Sequence, residues 1–262
     1  MGATLRLYAA LAGFSFRNHL GSWRYIMSRL GAYIFFTIII GEFWRAIIAQ
    51  GTRHFPFGID DIIWYCGVGQ LIVFASPRIF MRIEDDVLSG NIAYHLTRPV
   101  DYLELRLAEG VGGLAANLLL FMPLGFALCY FYTGAMPRGS IGYTALFIIF
   151  ASLLHMMFQI LAGFSGVWIH EVQMPYRIYQ KFMLMLGGLE VPVSVYPAVM
   201  QYLAWATPLG LLLMLPCTAI FTPDTGQQAR EAILMFGWVG VIFALMLMLY
   251  GRVRKYISLN GG

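Results

Sequence analysis

The chain has 262 residues, of which 60% are hydrophobic and 11% are charged, and its mean hydropathy is +0.72. Soluble domains are roughly 45–50% apolar and about 25% charged, so this composition excludes a soluble globular protein and indicates an integral membrane protein. The formal net charge of +4 comes from basic residues near the ends of apolar segments and gives no indication of nucleic-acid binding.

Residues 1–27 precede the first apolar segment and have the pattern of an amphipathic helix. Arg6, Arg17 and Arg24 fall on one helical face. Apolar residues favour the opposite face: Leu5, Tyr8, Leu11, Ala12 and Phe16. Such a helix is expected to lie in the membrane interface. Simple anchoring of the chain by positive charge is the alternative.

Six segments are long and apolar enough to cross a membrane, because a helix needs about 20 mostly apolar residues to cover about 30 Å of hydrocarbon. They are residues 30–48, 59–80, 107–132, 141–169, 179–195 and 232–250. The fifth is the weakest, since Gly187, Gly188, Glu190 and Pro192 interrupt it. The predicted fold is an all-α integral membrane protein with six transmembrane helices in a single domain, residues 1–262.

A further apolar stretch, residues 198–221, lies between the fifth and sixth predicted spans. Pro208 and Pro216 cut it into two pieces, each too short to cross alone. Broken helices are tolerated at membrane depth where protein or a cavity covers them. We therefore predict re-entrant half-helices within an extracytoplasmic segment, residues 196–224.

The basic residues are distributed unevenly between the two predicted sides. Lys and Arg near the ends of spans are retained in the cytoplasm. Most of the 17 lie on one side: Arg6, Arg17, Arg24, Arg29, Arg78, Arg82, Arg98, Arg106, Arg177, Lys181, Arg252, Arg254 and Lys255. The distribution predicts that both termini are cytoplasmic. A seventh crossing would move the basic tail outside, which also favours the re-entrant interpretation.

The loop between the second and third spans, residues 81–106, contains the longest polar stretch. Gly90 can end one helix in the left-handed conformation, and Asn91 can cap the next. Pro99 disfavours helix at the residue before it, so the helix between them is short. Asp101 followed by Glu104 resembles a capping box that opens the third span. The pattern predicts a compact helix across the cytoplasmic face.

Two interpretations of this loop remain open. Ile92, Tyr94 and Leu96 along the short helix would suit docking to a soluble partner, whereas any connecting loop can be polar and capped. The acidic run that precedes it, residues 84–86, is interpreted as a solvated helix end.

This loop resembles the second cytoplasmic loop in permease subunits of type-2 ATP-binding-cassette (ABC) exporters, in particular a poorly characterised six-span subgroup. The resemblance lies in Ser89-Gly90 followed by Leu96-Thr97-Arg98-Pro99-Val100. A second match is Gly187-Gly188-Leu189-Glu190-Val191-Pro192, followed by Tyr196-Pro197 and Thr207-Pro208. The order of the parts fits over nearly the whole chain.

The resemblance implies a transport subunit that is not an enzyme and has no ATPase of its own. The sequence agrees, because it contains no G-x-x-x-x-G-K-[ST] phosphate loop. Two copies of a cytoplasmic ATPase, holding ATP and magnesium, and a second permease, unlike or identical, are the implied partners. A location in a bacterial inner membrane is inferred in the same way. The resemblance carries a coupling role onto Glu84, Asp85, Gly90, Arg98 and Pro99, and onto Arg17 and Arg24.

Several polar residues within the predicted spans are candidates for a substrate pathway. Glu42 and Arg45 stand one turn apart in the first span, where they could instead reach the outer headgroups. Gln70, Asn117 and Gln159 are neutral, and such residues often bond between helices. A pathway with so few charges favours an amphipathic or lipophilic substrate.

Two other classes of function compete with transport. A membrane enzyme acting on lipids could use Asp60 and Asp61, or residues 84–86, to bind a metal, with His95 or His170 as a base. The two acidic groups are predicted on opposite sides of the membrane, so they cannot form one site. A channel or structural membrane subunit is the second rival. Cys66, Cys129 and Cys217 lack metal-binding spacing and are expected to be small buried hydrophobic residues.

Overall fold

A computed structural model describes residues 2–50, 58–96, 100–169, 171–222 and 224–260, with no account of the side chains of residues 2–5, 96 and 258–260. The described residues are almost entirely helical, and no strand occurs among them. This is the predicted all-α fold. Its eleven described α-helices follow in chain order: α1 (Gly2–Gly21), α2 (Trp23–Ala49), α3 (Ile59–Ala75), α4 (Ile79–Leu88), α5 (Asn91–Leu96), α6 (Tyr102–Thr133), α7 (Ile141–Ile169), α8 (Gln173–Gly187), α9 (Ala198–Ala206), α10 (Pro208–Ala219) and α11 (Thr225–Asn260).

The bundle has two distinct ends. At one end, which we call the basic end, α6 begins, α7 ends and the tail of α11 carries Arg252 and Arg254. At the other, the far end, α6 ends and α7 begins. The start of α3 also lies at the far end, because Trp64 donates to the carbonyl of Ala135, in the connection between α6 and α7, at 3.2 Å.

Five described helical segments are long and apolar enough to cross a membrane: Trp23–Ala49, Ile59–Leu88, Tyr102–Thr133, Ile141–Ile169 and Thr225–Ile257. The bent pair α9–α10 would bring the number to six if it counted as one span. The chain is therefore a multi-pass membrane protein. Among the six predicted spans, only that at 179–195 has no counterpart in this set.

The fifth predicted span, 179–195, is only partly an α-helix: its first half belongs to α8, which has only 15 residues and ends at Gly187, and a 3-10 turn follows at Val193–Val195. The first residue of α8, Gln173, donates to Glu84 of α4 at 2.9 Å at the basic end. The residue after its end, Gly188, accepts a hydrogen bond of 2.7 Å from Tyr65 in the far half of α3. The helix therefore runs from one end of the bundle toward the other, although by length alone it covers only about 22 Å.

The chain between α8 and α11 returns to the end from which it enters. Before α9, the carbonyl of Glu190 accepts from Trp44 at 2.9 Å near the end of α2. After α10, the carbonyl of Ile220 accepts from Gly139 at 2.8 Å in the α6–α7 connection. Helices α9 and α10 are bent by 99° at Thr207. Both ends of the pair lie at the far end, as expected of a re-entrant segment.

One predicted break in this segment is wrong. Pro208 begins α10, with Thr207 capping the helix by accepting from Gly210, but Pro216 lies inside α10 without ending it. An interior proline removes one backbone hydrogen bond. The helix persists because α10 is buried against α3, α7 and α8.

The second predicted span, 59–80, is not one continuous helix. Helix α3 ends at Ala75, Ser76 is extended, and α4 begins after Pro77 and Arg78. The residue before a proline disfavours helix, so Pro77 was a signal for this break that the hydropathy pattern hid. The released carbonyl of Ala75 accepts from Asn117 at 2.8 Å, and Ser76 accepts from Gln159 at 2.9 Å.

The length and polarity of α6 indicate where the hydrocarbon core of the membrane ends. The 20 residue steps from Gly113 to Thr133 rise about 30 Å, which is the thickness of a typical hydrocarbon core. Residues 114–122 and 124–133 are almost all apolar, whereas Glu104, Arg106 and Glu109 precede Gly113. The first turns of α6 therefore project past the hydrocarbon at the basic end.

Helix α1 packs along these first turns of α6. Ser15 donates to the carbonyl of Glu109 at 2.7 Å, His19 lies against Gly113, and Gly112 has no side chain because the backbone of Ala12 occupies that space. The predicted apolar face is the one half-buried by this contact: Tyr8, Leu11, Ala12 and Phe16. The helix ends at Gly21, short of the predicted limit at residue 27, and its interfacial position stays a prediction.

Candidate functional site at the basic end

The short helix α5 lies beyond the hydrocarbon level, next to α4. Gly90 joins the two helices with a φ of 74°, in the left-handed region that glycine adopts without strain, as predicted. Asp101 caps α6 by accepting from the amides of Leu103 and Glu104, although no return bond from the Glu104 side chain is present in the described structure. These turns fold α4, α5 and α6 into a compact unit.

Buried charges tie α4 to α6. Asp86 is only 9% exposed and accepts hydrogen bonds from Arg106 and, at 2.6 Å, from the hydroxyl of Tyr102. Arg106 also pairs with Glu109 at 2.5 Å, and Arg82 approaches the same carboxylate at 3.5 Å. Breaking one member of a buried pair leaves an uncompensated charge, so this network holds the two helices rigidly together.

The sequence pattern did not predict this network. The interpretation of residues 84–86 as a solvated helix end is wrong for Asp86, because the partner that buries it, Arg106, is 20 residues further along the chain. The i, i+3 spacing of Arg106 and Glu109 at the start of a span was the available signal.

The described residues among those predicted to couple to an ATPase lie at the basic end. Glu84 bonds to Gln173, whereas the side chain of Asp85 is exposed. Arg17 and Arg24 are exposed near the junction of α1 and α2. Arg98 and Pro99 lie outside the described residues. The structure therefore leaves Asp85, Arg17 and Arg24 accessible to a partner.

The short helix does not present all of its apolar residues for docking. Ile92 is 5% exposed and belongs to the core of the bundle, so it is a packing residue. Tyr94 is 60% exposed on the opposite side. The side chain of Leu96 lies outside the described part of the chain.

The neutral candidates for a substrate pathway are buried. Asn117 and Gln159 bond to the α3–α4 break, and Gln70 is 4% exposed within α3. The interhelical alternative accounts for the bonds of Asn117 and Gln159. The carbonyl oxygen of Gln159 is buried and has no hydrogen-bond partner in the described structure.

Glu42 and Arg45 form an exposed pair at the far end. Their side chains are 2.9 Å apart, Tyr132 donates to Glu42, and the Arg45 guanidinium lies 4.5 Å from the centre of the Tyr132 ring. Tyr132 is the penultimate residue of α6, one hydrocarbon thickness from Gly113. The pair thus lies beside the end of α6, and the alternative that it reaches the outer headgroups stays a prediction.

The two acidic groups proposed for a lipid-modifying enzyme do not converge, although His95 lies 4.0 Å from Asp86. Asp61 is 3.6 Å from Arg138 at the far end, while Glu84 and Asp86 lie at the basic end. Among the described residues there is no group of three or more His, Cys, Asp or Glu that could hold a metal ion. His170 lies outside the described part.

A cavity of about 380 Å³ opens beside the charged network of α4 and α6, and Arg82 and Glu109 of that network line it. It lies between the junction of α1 and α2 on one side and the α3–α4 break on the other. Most of the residues that line it have polar side chains, although apolar atoms supply the larger part of its surface: Ser15, Asn18, His19, Ser22, Tyr25, Pro77, Arg78, Ile79, Met81, Arg82 and Glu109.

Fold and site together define a helical multi-pass membrane protein with a charged, rigid unit at one end. A family model described as "ABC-2 family transporter protein" matches residues 30–259, and the chain belongs to this family. It is thus a permease component of a membrane transport system. No curated protein matches the chain.

Proposed function

We propose that this chain is the membrane-spanning subunit of an ABC exporter, driven by ATP that a separate cytoplasmic ATPase hydrolyses. Two ATPase copies and a second permease, identical or unlike, complete the transporter, which resides in the bacterial inner membrane with both termini of this chain in the cytoplasm. The observation that carries the proposal is the α4–α5 unit, which projects past the hydrocarbon and is tied to a membrane-crossing helix by buried charge.

This arrangement suits the transmission of force. A soluble ATPase can contact only surfaces outside the hydrocarbon, and α5 with the exposed side chains of Asp85 and Tyr94 supplies one. Displacement of α5 would move α4 and, through Asp86 and Arg106, the first turns of α6. A ligand-driven transporter needs such a two-state element, biased by nucleotide.

The interior of the bundle supports an amphipathic or lipophilic substrate. Buried side chains between the helices are overwhelmingly apolar, and the buried amides of Asn117 and Gln159 bond to the α3–α4 break. A strongly charged solute would find few compensating charges among the described buried residues. An amphipathic or lipophilic substrate fits this lining.

The test is affinity purification of the tagged chain from its native membrane in mild detergent, followed by an assay of magnesium-dependent ATP hydrolysis in the eluate. We expect a co-purifying ATPase with the native chain. Asp85→Lys combined with Tyr94→Ala should lower both its recovery and its turnover, and Arg98→Ala should act in the same direction.

The matched control is Arg138→Ala, which removes a side chain that is 76% exposed at the far end. It should retain the ATPase fully. Recovery of a lone chain without ATP hydrolysis, or equal ATPase recovery with the α4–α5 variants and the control, would contradict the proposal.

A further inference from the structure

We propose that the cavity at the α3–α4 break binds the phosphate of an anionic phospholipid headgroup. We call it the headgroup cavity, lined as given above. The inference does not depend on an ATPase partner, because it follows from the depth, charge and backbone geometry of the cavity.

The depth of the cavity matches a membrane surface. His19 lines it and lies against Gly113, which is about 30 Å along α6 from Thr133 at the far end. That distance is one hydrocarbon thickness, so the cavity lies at headgroup level on the basic side. Its volume falls within the range of about 300–1,000 Å³ that is typical of small-molecule sites.

Positive charge is in excess around the cavity. Arg78 has no ion-pair or hydrogen-bond partner for its guanidinium in the described structure. Arg82 has only the carboxylate of Glu109, 3.5 Å away, which Arg106 already binds at 2.5 Å. Two guanidinium groups thus face a lining whose single carboxylate is engaged elsewhere, and guanidinium is the side chain best suited to bind phosphate.

A third cation lies just behind the lining. Arg29 is 9% exposed and donates to the hydroxyl of Tyr25 at 2.6 Å and to the carbonyl of Val73 at 3.2 Å. Its Nε has no partner, and no carboxylate forms an ion pair with it in the described residues. Tyr25 lines the cavity, and its hydroxyl accepts from Arg29. A hydroxyl that accepts a hydrogen bond from a cation is a better donor to an anion, so Tyr25 would bind a phosphate oxygen more strongly.

The helix break adds backbone donors. Helix α4 begins at Ile79, and the side chain of its N-cap, Arg78, makes no cap hydrogen bond. The amides of Ile79 and Phe80 have no acceptor in the described structure, and Pro77, Arg78 and Ile79 all line the cavity. Amides at a helix N-terminus favour phosphate.

His19 reflects the same electrostatic environment. Burial and the nearby Arg82 lower the pKa of its imidazole, so the ring is neutral at pH 7 and can donate one N–H. It therefore contributes a donor without adding a cation.

The surroundings favour a lipid over a free anion. Large apolar side chains are exposed on the helices that line the cavity: Met81, a lining residue, at 41%, and Phe14 at 71%, Trp23 at 63% and Met27 at 51% on α1 and α2. Acyl chains attached to the phosphate would cover this surface, whereas inorganic phosphate would leave it bare.

The experiment uses the full chain, purified in detergent, delipidated and titrated separately with phosphatidylglycerol, phosphatidylcholine and inorganic phosphate. Native mass spectrometry counts the bound molecules. We expect one phosphatidylglycerol to be retained preferentially. Arg78→Gln with Arg82→Gln should weaken it roughly thirtyfold, since each cation near an anionic surface contributes about 1 kcal/mol, a factor of about five.

The charge-matched control is Arg252→Gln with Arg254→Gln, which removes two exposed cations at the same end but outside the cavity. It should bind like the native chain. Asn18→Trp provides a variant with unchanged charge, because Asn18 is an exposed lining residue and a larger ring would fill the cavity. It should also lose the lipid.

Several outcomes would overturn the proposal. They are equal loss in the Arg252 and Arg254 control, equal retention of phosphatidylcholine, or binding of inorganic phosphate as tight as that of the lipid. Unchanged lipid binding by the variant Arg78→Gln with Arg82→Gln would also overturn it, and reduced recovery of a co-purified ATPase with that variant would instead assign the cavity to protein docking.

Discussion

Helices α3 and α11 are both apolar, yet they occupy opposite situations in the bundle. In the most apolar stretch of Ile59–Leu88, 83% of the residues are buried, compared with 17% in the corresponding stretch of Thr225–Ile257. The α3 side carries close packing, the break at Ser76 and the charged tie to α6. Hydrophobicity alone thus does not distinguish the buried interior of this bundle from its exposed surface.

The two regions should differ most in how much stability is lost when a charged side chain at the basic end is removed. Asp86→Ala removes one of the two partners of the buried Arg106 and should lower the free energy of unfolding by about 3 kcal/mol, because Arg106 then keeps only Glu109, which it shares with Arg82. The measurement is denaturant unfolding of the purified chain in detergent micelles.

The control for this change lies on α11. Arg254 pairs with Asp101 at 3.7 Å but is 59% exposed, so Arg254→Ala should change stability by less than about 1 kcal/mol. Similar losses in the two variants would mean that the α4–α6 tie is not a structural centre.

A smaller difference in stability should appear when a glycine of α3 and a glycine of α11 are each replaced by leucine. Gly67 of α3 lies against the thiol of Cys129, so Gly67→Leu should overpack the core and cost about 1–3 kcal/mol. Gly240 of α11 has nothing within 4 Å of the position a Cβ would take. Thermal unfolding of Gly67→Leu and Gly240→Leu compares the two helices directly, and a less stable Gly240→Leu variant would invert the comparison.

The smallest effect is expected for Phe236→Leu, since Phe236 on α11 is 64% exposed. The stability of the isolated chain should change by less than about 0.5 kcal/mol. If a second permease covers this face, the same variant should weaken association, which cross-linking in native membranes would measure. A marked loss of stability in the isolated chain would show that α11 is more tightly packed than described.

Local chemistry predicted much of the fold and part of the candidate site. The turn at Gly90 was predictable because a positive φ favours glycine, and the crossings followed from hydropathy. The burial of Asp86 was not predictable, because it depends on Arg106, which only the tertiary fold brings to that carboxylate. Pro77 and Pro216 show the same limit: each weakens a helix locally, but packing decided that only the first ended one.

The three cysteines give the molecule a practical property. Cys66 and Cys217 are fully buried and Cys129 is 2% exposed, and none of them forms a disulfide. Water-soluble maleimides should therefore leave the native chain almost unlabelled while it stays folded. Single cysteines introduced at exposed positions such as Asp85 and Arg138 could then report, in intact cells, which surface faces the cytoplasm, without first removing the natural thiols.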